Sequence, residues 1–120
     1  TNNSSMVLKV LYGKNSFLFT GDIEKEKEIE LIKKWNNFLD SDILKVAHHG
    51  SKSSSENEFL KIVSPQISII FVGLKNKFHF PSKETINKLI NNNISILRTD
   101  IDNAIILESD GINISRILWN

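Results

Sequence analysis

Six consecutive residues, Ile67-Ser-Ile-Ile-Phe-Val72, restrict this chain more than any other feature. All but Ser68 are apolar, with none of the in-and-out alternation of a half-wet sheet, so the run reads as a strand covered on both faces. Strands of that kind belong to sheets flanked by helices, and the segments on either side fit that frame. Upstream, apolar Ile29, Ile32, Trp35, Phe38 and Leu39 recur at intervals of three and four, predicting a helix over about 24–39 with an acidic first turn of Glu24, Glu26 and Glu28. Residues 43–47 follow as a short strand. Ser55 and Glu58 form a capping-box pattern that starts a second helix carrying Phe59, Leu60 and Val63, and Pro65 ends it. A third helix is predicted over about 82–91, burying Ile86, Leu89 and Ile90.

The two ends of the chain read differently. Residues 6–12 and 16–20 are strands joined by the turn Gly13-Lys14-Asn15, and residues 95–99, 104–108 and 112–118 are three more, the last two joined through Ser109-Asp110-Gly111. The resulting order, β-β-α-β-α-β-α-β-β-β, predicts an α/β layered fold with a mixed sheet. A length of 120 residues suits one small domain or part of a larger one. There is no cysteine, which excludes disulfides and thiolate zinc sites. Any metal must be held by carboxylates, backbone oxygens or the three histidines. A net charge of +1 argues against nucleic-acid binding through charge alone. No apolar run approaches the roughly 20 residues of a membrane span, so the chain is expected to be soluble, with residues 1–5 a disordered polar tail.

Three loops hold the residues with chemistry. Thr20-Gly21-Asp22 follows an apolar strand, and Asp22 there either faces a ligand or caps the next helix. His48-His49-Gly50-Ser51 places two imidazoles at a strand end; in regular extended backbone they point to opposite faces, leaving one for a site and one beneath it. The bland alternative is a solvated loop with idle histidines. His79 lies between Phe78 and Phe80 in the third loop, where a structural role competes with ligation. Ligands of layered α/β folds sit beyond the carboxyl ends of the strands, so all three loops are placed to converge. One aspartate with two or three imidazoles suits zinc, manganese or iron, and suffices for one metal held weakly.

These same residues carry a resemblance. Ser5-Met-Val-Leu-Lys-Val-Leu-Tyr-Gly13, Phe17-Leu-Phe-Thr-Gly-Asp22 and Ile43-Leu-Lys-Val-Ala-His-His-Gly-Ser51 with Ser53-Ser-Ser55 resemble the C-terminal metallo-β-lactamase-like domain of ComEC-type DNA-uptake (competence) proteins. The match continues through Pro65, Asn76, Pro81-Ser82, Arg98-Thr99-Asp100 and the final hairpin. It implies an αββα sandwich of which residues 1–120 form the C-terminal part. The family's His-x-His-x-Asp-His motif, which supplies most ligands of the first metal, has no counterpart here. The resemblance makes Asp22 the metal-bridging carboxylate and puts His48 and His49 in the family's site loop, so these three are the expected catalytic residues. With His79 they form the expected ligand set for zinc or manganese, bound weakly or not at all by this part alone; Gly21, Gly50, Ser51 and Asn76 complete the site loops. One departure stands out: the family reads Asn-x-Tyr-Gly-His-Pro near residue 80, whereas here Phe80 takes the histidine's place and His79 precedes it.

The resemblance further implies a bacterial, membrane-associated parent protein that takes up DNA, in which this domain is a metal-dependent nuclease or hydrolase. DNA contacts would fall to Lys45, Lys52, Lys75, Lys77 and Arg98, each equally readable as a solvated cation. The alternatives are part of a stand-alone hydrolase acting on a small molecule, and a non-catalytic binding module. A half-sandwich would leave an apolar sheet face bare, so the isolated chain is expected to form a homodimer.

Overall fold

The computed structural model describes residues 4–118, so residues 1–3 of the expected disordered tail lie outside the described part. Its elements run β1 (Leu8–Tyr12), β2 (Asn15–Phe19), α1 (Lys25–Trp35), β3 (Ile43–Lys45), α2 (Asn57–Val63), β4 (Ile67–Ile70), α3 (Lys83–Asn91), β5 (Ser95–Arg98), α4 (Thr99–Asp102), β6 (Ile106–Ser109) and β7 (Ile114–Ile117). The order is the one expected from periodicity, except for the single helical turn α4 after β5 and strand ends shifted by one or two residues. The α/β class with a mixed sheet is borne out. Strands β1 to β5 form one sheet in sequence order, with β1 antiparallel to β2 and the rest parallel, while β6 and β7 form a separate hairpin.

The two sheet faces differ sharply. Leu18, Leu44, Ile70 and their neighbours Val46 and Val72 pack with Leu31 of α1, Phe59, Leu60 and Val63 of α2 and Leu89 of α3 into one buried core. Residues paired across the strands share a face, so the opposite side carries Leu8 with Phe19, Val10 with Phe17, Phe17 with Ile43, and Lys45 with Ile69. Leu107 of β6 and Ile105, the residue before that strand, face this side across a cavity of about 260 Å³, bounded also by Phe17, Phe19, Ile43 and Phe71. Leu8, Val10, Phe19 and Phe71 are each 40% to 50% exposed on this side. Among the described residues strand β4 is therefore buried on one face and only half-buried on the other, at Ile67 and Ile69, and the expectation of full two-sided cover is corrected.

A second correction concerns the start of α2. Ser55 does not cap it: Ser55 adopts φ +60 and Glu56 is the N-cap, with no capping side chain of its own. The backbone N–H groups of Ser55 and Glu56 instead donate to the Glu28 carboxylate of α1, at 2.6 and 3.0 Å. Asp22 likewise is no cap, since α1 starts from Glu24. α3 begins as its sequence indicates, with the Ser82 hydroxyl accepting from the N–H of Thr85.

Candidate active site

Because β2, β3, β4 and β5 run parallel, the loops leaving their carboxyl ends lie along one edge. Short hydrogen bonds lace them together. Gly21 O accepts from the His48 N–H at 3.0 Å and from Lys45 Nζ at 3.1 Å, and the Thr20 hydroxyl donates to Lys45 O at 2.7 Å. Ser82 N–H donates to Gly50 O at 2.9 Å, tying the second loop to the third. Val72 N–H donates to the Thr99 hydroxyl, which in turn donates to Val72 O, both at 2.8 Å, and this adds the end of β5. Gly50 has to be glycine here: it sits at φ +82, and a Cβ would stand 2.5 Å from Cβ of Pro81.

The histidine pair does not sit on extended backbone. Strand β3 ends at Lys45, and Ala47–Gly50 form a tight turn in which His48 and His49 both take left-handed conformations, φ +51 and +56. The two rings accordingly stay within 6.5 Å of each other instead of diverging to opposite faces. Both rest on Phe80, His48 edge-on at 5.9 Å and His49 stacked at 6.4 Å.

Their partners separate their roles. His49 Nδ1 lies 2.7 Å from Phe71 O. A carbonyl only accepts, so Nδ1 carries a proton and Nε2 is the nitrogen left to serve as a ligand. That nitrogen stands 3.9 Å from Asp22 Oδ1. The gap is too long for a hydrogen bond and within reach of one cation bound at about 2.0–2.2 Å to each. His48 turns elsewhere, its Nδ1 at 3.3 Å from the Ser53 hydroxyl and 3.8 Å from Glu24 Oε2. His79 is exposed at φ +55 at the tip of its loop, while Phe80 fills the space beside the imidazoles. Its direction is set by that left-handed turn, not by the extended register that sequence reasoning assumed.

Asp22 and His49 are thus brought face to face at the carboxyl-end edge of the sheet. Among the described residues no three histidine, aspartate or glutamate side chains cluster closely enough to hold a metal ion, so the expected set of Asp22, His48, His49 and His79 is not assembled by these residues alone. Glu24, beside His48, was legible only as an acidic residue of a helix start; no local pattern marked it as a neighbour of the site. Lys45 projects from the open sheet face to Gly21 O, with its ammonium 5.6 Å from the Phe71 ring centre. Burial pulls its pKa below the ordinary 10.5, opposed by the charge of Asp22. Arg98 is engaged internally, its Nε and Nη2 donating to the two carboxylate oxygens of Asp100 at 3.0 and 2.7 Å. Ser51 accepts from the Ser53 N–H through its own hydroxyl, and Asn76 braces the third loop through Gly73 O and Phe80.

A mixed sheet carrying its aspartate and paired histidines on the carboxyl-end loops defines a class, and sequence comparison gives it a name. The family model of the metallo-beta-lactamase superfamily matches residues 1–74, and the chain belongs to that superfamily. It is 41% identical to ComE operon protein 3 of Bacillus subtilis over 104 residues, which is 87% of this chain and 13% of that protein. Competence protein ComA of Neisseria gonorrhoeae is 36% identical over 104 residues, 87% of this chain and 15% of the relative. Recombination protein 2 of Haemophilus influenzae is 38% identical over 88 residues, 73% of this chain and 11% of its own length. The chain therefore spans between a ninth and a sixth of these relatives. No helix among the described residues is long and apolar enough to cross a membrane.

Proposed function

We propose that this chain is part of the metal-dependent phosphodiesterase domain of a bacterial competence protein that acts on DNA during its uptake. The observation that carries the reading is the His49–Asp22 arrangement: Nδ1 is fixed as a donor by Phe71 O, leaving Nε2 and a carboxylate oxygen facing each other across 3.9 Å. The relatives' names supply the setting of competence, and the parent is inferred to be membrane-associated. The bound cation, zinc or manganese, would supply hydroxide at neutral pH and neutralise charge on a phosphoryl oxygen. This chain's part is to orient and to shield. Phe80 covers both imidazoles from one side, Lys45 holds the Thr20-Gly21-Asp22 turn through Gly21 O, and Gly50 lets the histidine turn press against Pro81. We infer that the remaining donors come from the part of the superfamily fold bearing His-x-His-x-Asp-His.

Titration calorimetry with zinc and with manganese tests the reading. Two donors should give a dissociation constant no tighter than roughly micromolar, about −8 kcal/mol, weakened further by Asp22→Asn or His49→Ala. A nanomolar site, or binding indifferent to both substitutions, would place the metal on other residues. The shortage of donors also favours a second reading, a non-catalytic module that keeps the fold without the chemistry. Supplying the motif-bearing segment separates the two: the first reading gains DNA hydrolysis, the second does not. In isolation, we infer, a second copy of the chain covers the open sheet face.

A further inference from the structure

The loop over residues 73–81 holds a feature that the metal chemistry leaves unused. Three aromatic rings stand in a near-parallel file: His49 faces Phe80 at 6.4 Å and 15°, and Phe80 faces Phe78 at 5.6 Å and 22°. Phe78, at the outer end, is 65% exposed. The loop is pinned in this shape, since Asn76 Nδ2 donates to Gly73 O and Phe80 O at 3.1 and 2.9 Å while its Oδ1 accepts the Phe80 N–H at 2.8 Å. An exposed ring on a braced loop is preorganised, so little ordering cost attends a ligand that lies against it. The same stretch carries Lys75 and Lys77 and no acidic residue, with the Lys77 ammonium 5.2 Å from the centre of the Phe78 ring. A cavity of about 200 Å³ opens beside the file, against Val72 and Gly73.

Flat apolar faces flanked by ammonium groups match unpaired bases joined by phosphates; a duplex keeps its base faces within its own stack. We propose that the His49–Phe80–Phe78 file is a stacking platform for single-stranded nucleic acid, with Lys75 and Lys77 meeting the flanking phosphates. This rests on the phosphodiesterase reading above and gives it a substrate class, because the file ends at His49 and so leads a strand to Asp22. A lysine-flanked apolar loop also suits an anionic membrane, but insertion calls for rings turned outward singly, whereas these are stacked on one another.

Fluorescence anisotropy with labelled oligothymidylate of about 12 nucleotides, within the span of single-strand grooves, reads the binding directly. Phe78→Ala should weaken it roughly 5- to 150-fold, the effect of losing one stacked base, and Phe78→Trp should restore it. The unaltered chain should bind an abasic strand of the same length less tightly by a similar factor, which needs no variant to fold. Lys75→Ala with Lys77→Ala should lower the salt slope by about 1.4. Absence of oligothymidylate binding, equal affinity for the abasic strand, or a Phe78→Ala chain that binds as before would overturn the proposal. So would association with phosphatidylserine vesicles that Phe78→Ala abolishes while oligonucleotide affinity stays unchanged. Hydrolysis is scored separately on the domain completed with the motif-bearing segment. Base-dependent binding without cleavage there would sink the phosphodiesterase and leave the platform, and cleavage indifferent to Phe78 would do the reverse.

Discussion

Glu28 shows how one side chain can hold two elements together. It is 1% exposed and takes the N–H groups of Ser55 and Glu56 at the head of α2, serving as that helix's cap from 27 residues away. Removing it leaves a buried donor and a part-buried one unpaired, so Glu28→Ala should cost about 2–4 kcal/mol in chemical denaturation. Burial raises its pKa above the ordinary 4.5, with the two backbone hydrogen bonds pulling the other way. The folded chain therefore holds the proton more tightly than the unfolded one. Its contribution is fully present below about pH 4.5 and is lost as pH rises through the folded-state value. Glu28→Gln cannot ionise, so the difference between its melting temperature and that of the unaltered chain should change steadily over that window and level off above it. His49 differs in kind: its side chain is half exposed and spans two loops, and His49→Ala should shift stability by no more than about 0.5 kcal/mol. A loss typical of a core residue in thermal melts would make the histidine structural instead of a ligand.

At the scale of elements, the approach of the second loop to the head of α3 decides how the site is framed. A methyl group on Gly50 would meet Pro81 at 2.5 Å and at the same time impose a side chain on a left-handed backbone. Gly50→Ala should cost about 1–3 kcal/mol and push Phe80 off the imidazoles, which proton NMR would read as lost ring-current shifts at His48 and His49. Ser82→Ala removes the cap of α3 and should cost about 1 kcal/mol without moving those resonances. Most element boundaries were legible because periodicity and turn residues act over a few positions. The Ser55–Glu58 capping pattern misled because Ser55 is drawn into a left-handed conformation with its N–H already taken by Glu28, a partner no local window contains.

For the whole molecule the open sheet face is the dominant fact. Leu8, Val10, Phe19 and Phe71 share it and remain substantially exposed beside the cavity under β6. Uncovering even ~400 Å² of such surface forfeits on the order of 10 kcal/mol at about 25 cal/mol per Å², comparable to the stability of an entire domain. A two-fold dimer burying more than about 2,000 Å² would recover it, as obligate interfaces do. Light scattering at low micromolar concentration should give twice the chain mass, falling to one chain mass for Phe19→Glu, a charge in the middle of the patch. A well-folded monomer of the unaltered chain would mean that the β6–β7 hairpin shields the face sufficiently by itself.

Sequence alone determined the α/β class, the order of the strands and the loops that carry Asp22, His48 and His49, because hydrophobic period and turn chemistry are short-range properties. The superfamily was legible too, in the Thr20-Gly21-Asp22 and His48-His49-Gly50-Ser51 loops. Tertiary structure decided which imidazole faces the aspartate, since a left-handed turn and a carbonyl 22 residues away orient His49. It also decided that Arg98 is held by Asp100, that Phe80 packs against both imidazoles, and that one face of β4 is only partly covered among the described residues. Each of these depends on how irregular backbone meets distant chain, and local patterns hold no information about that meeting.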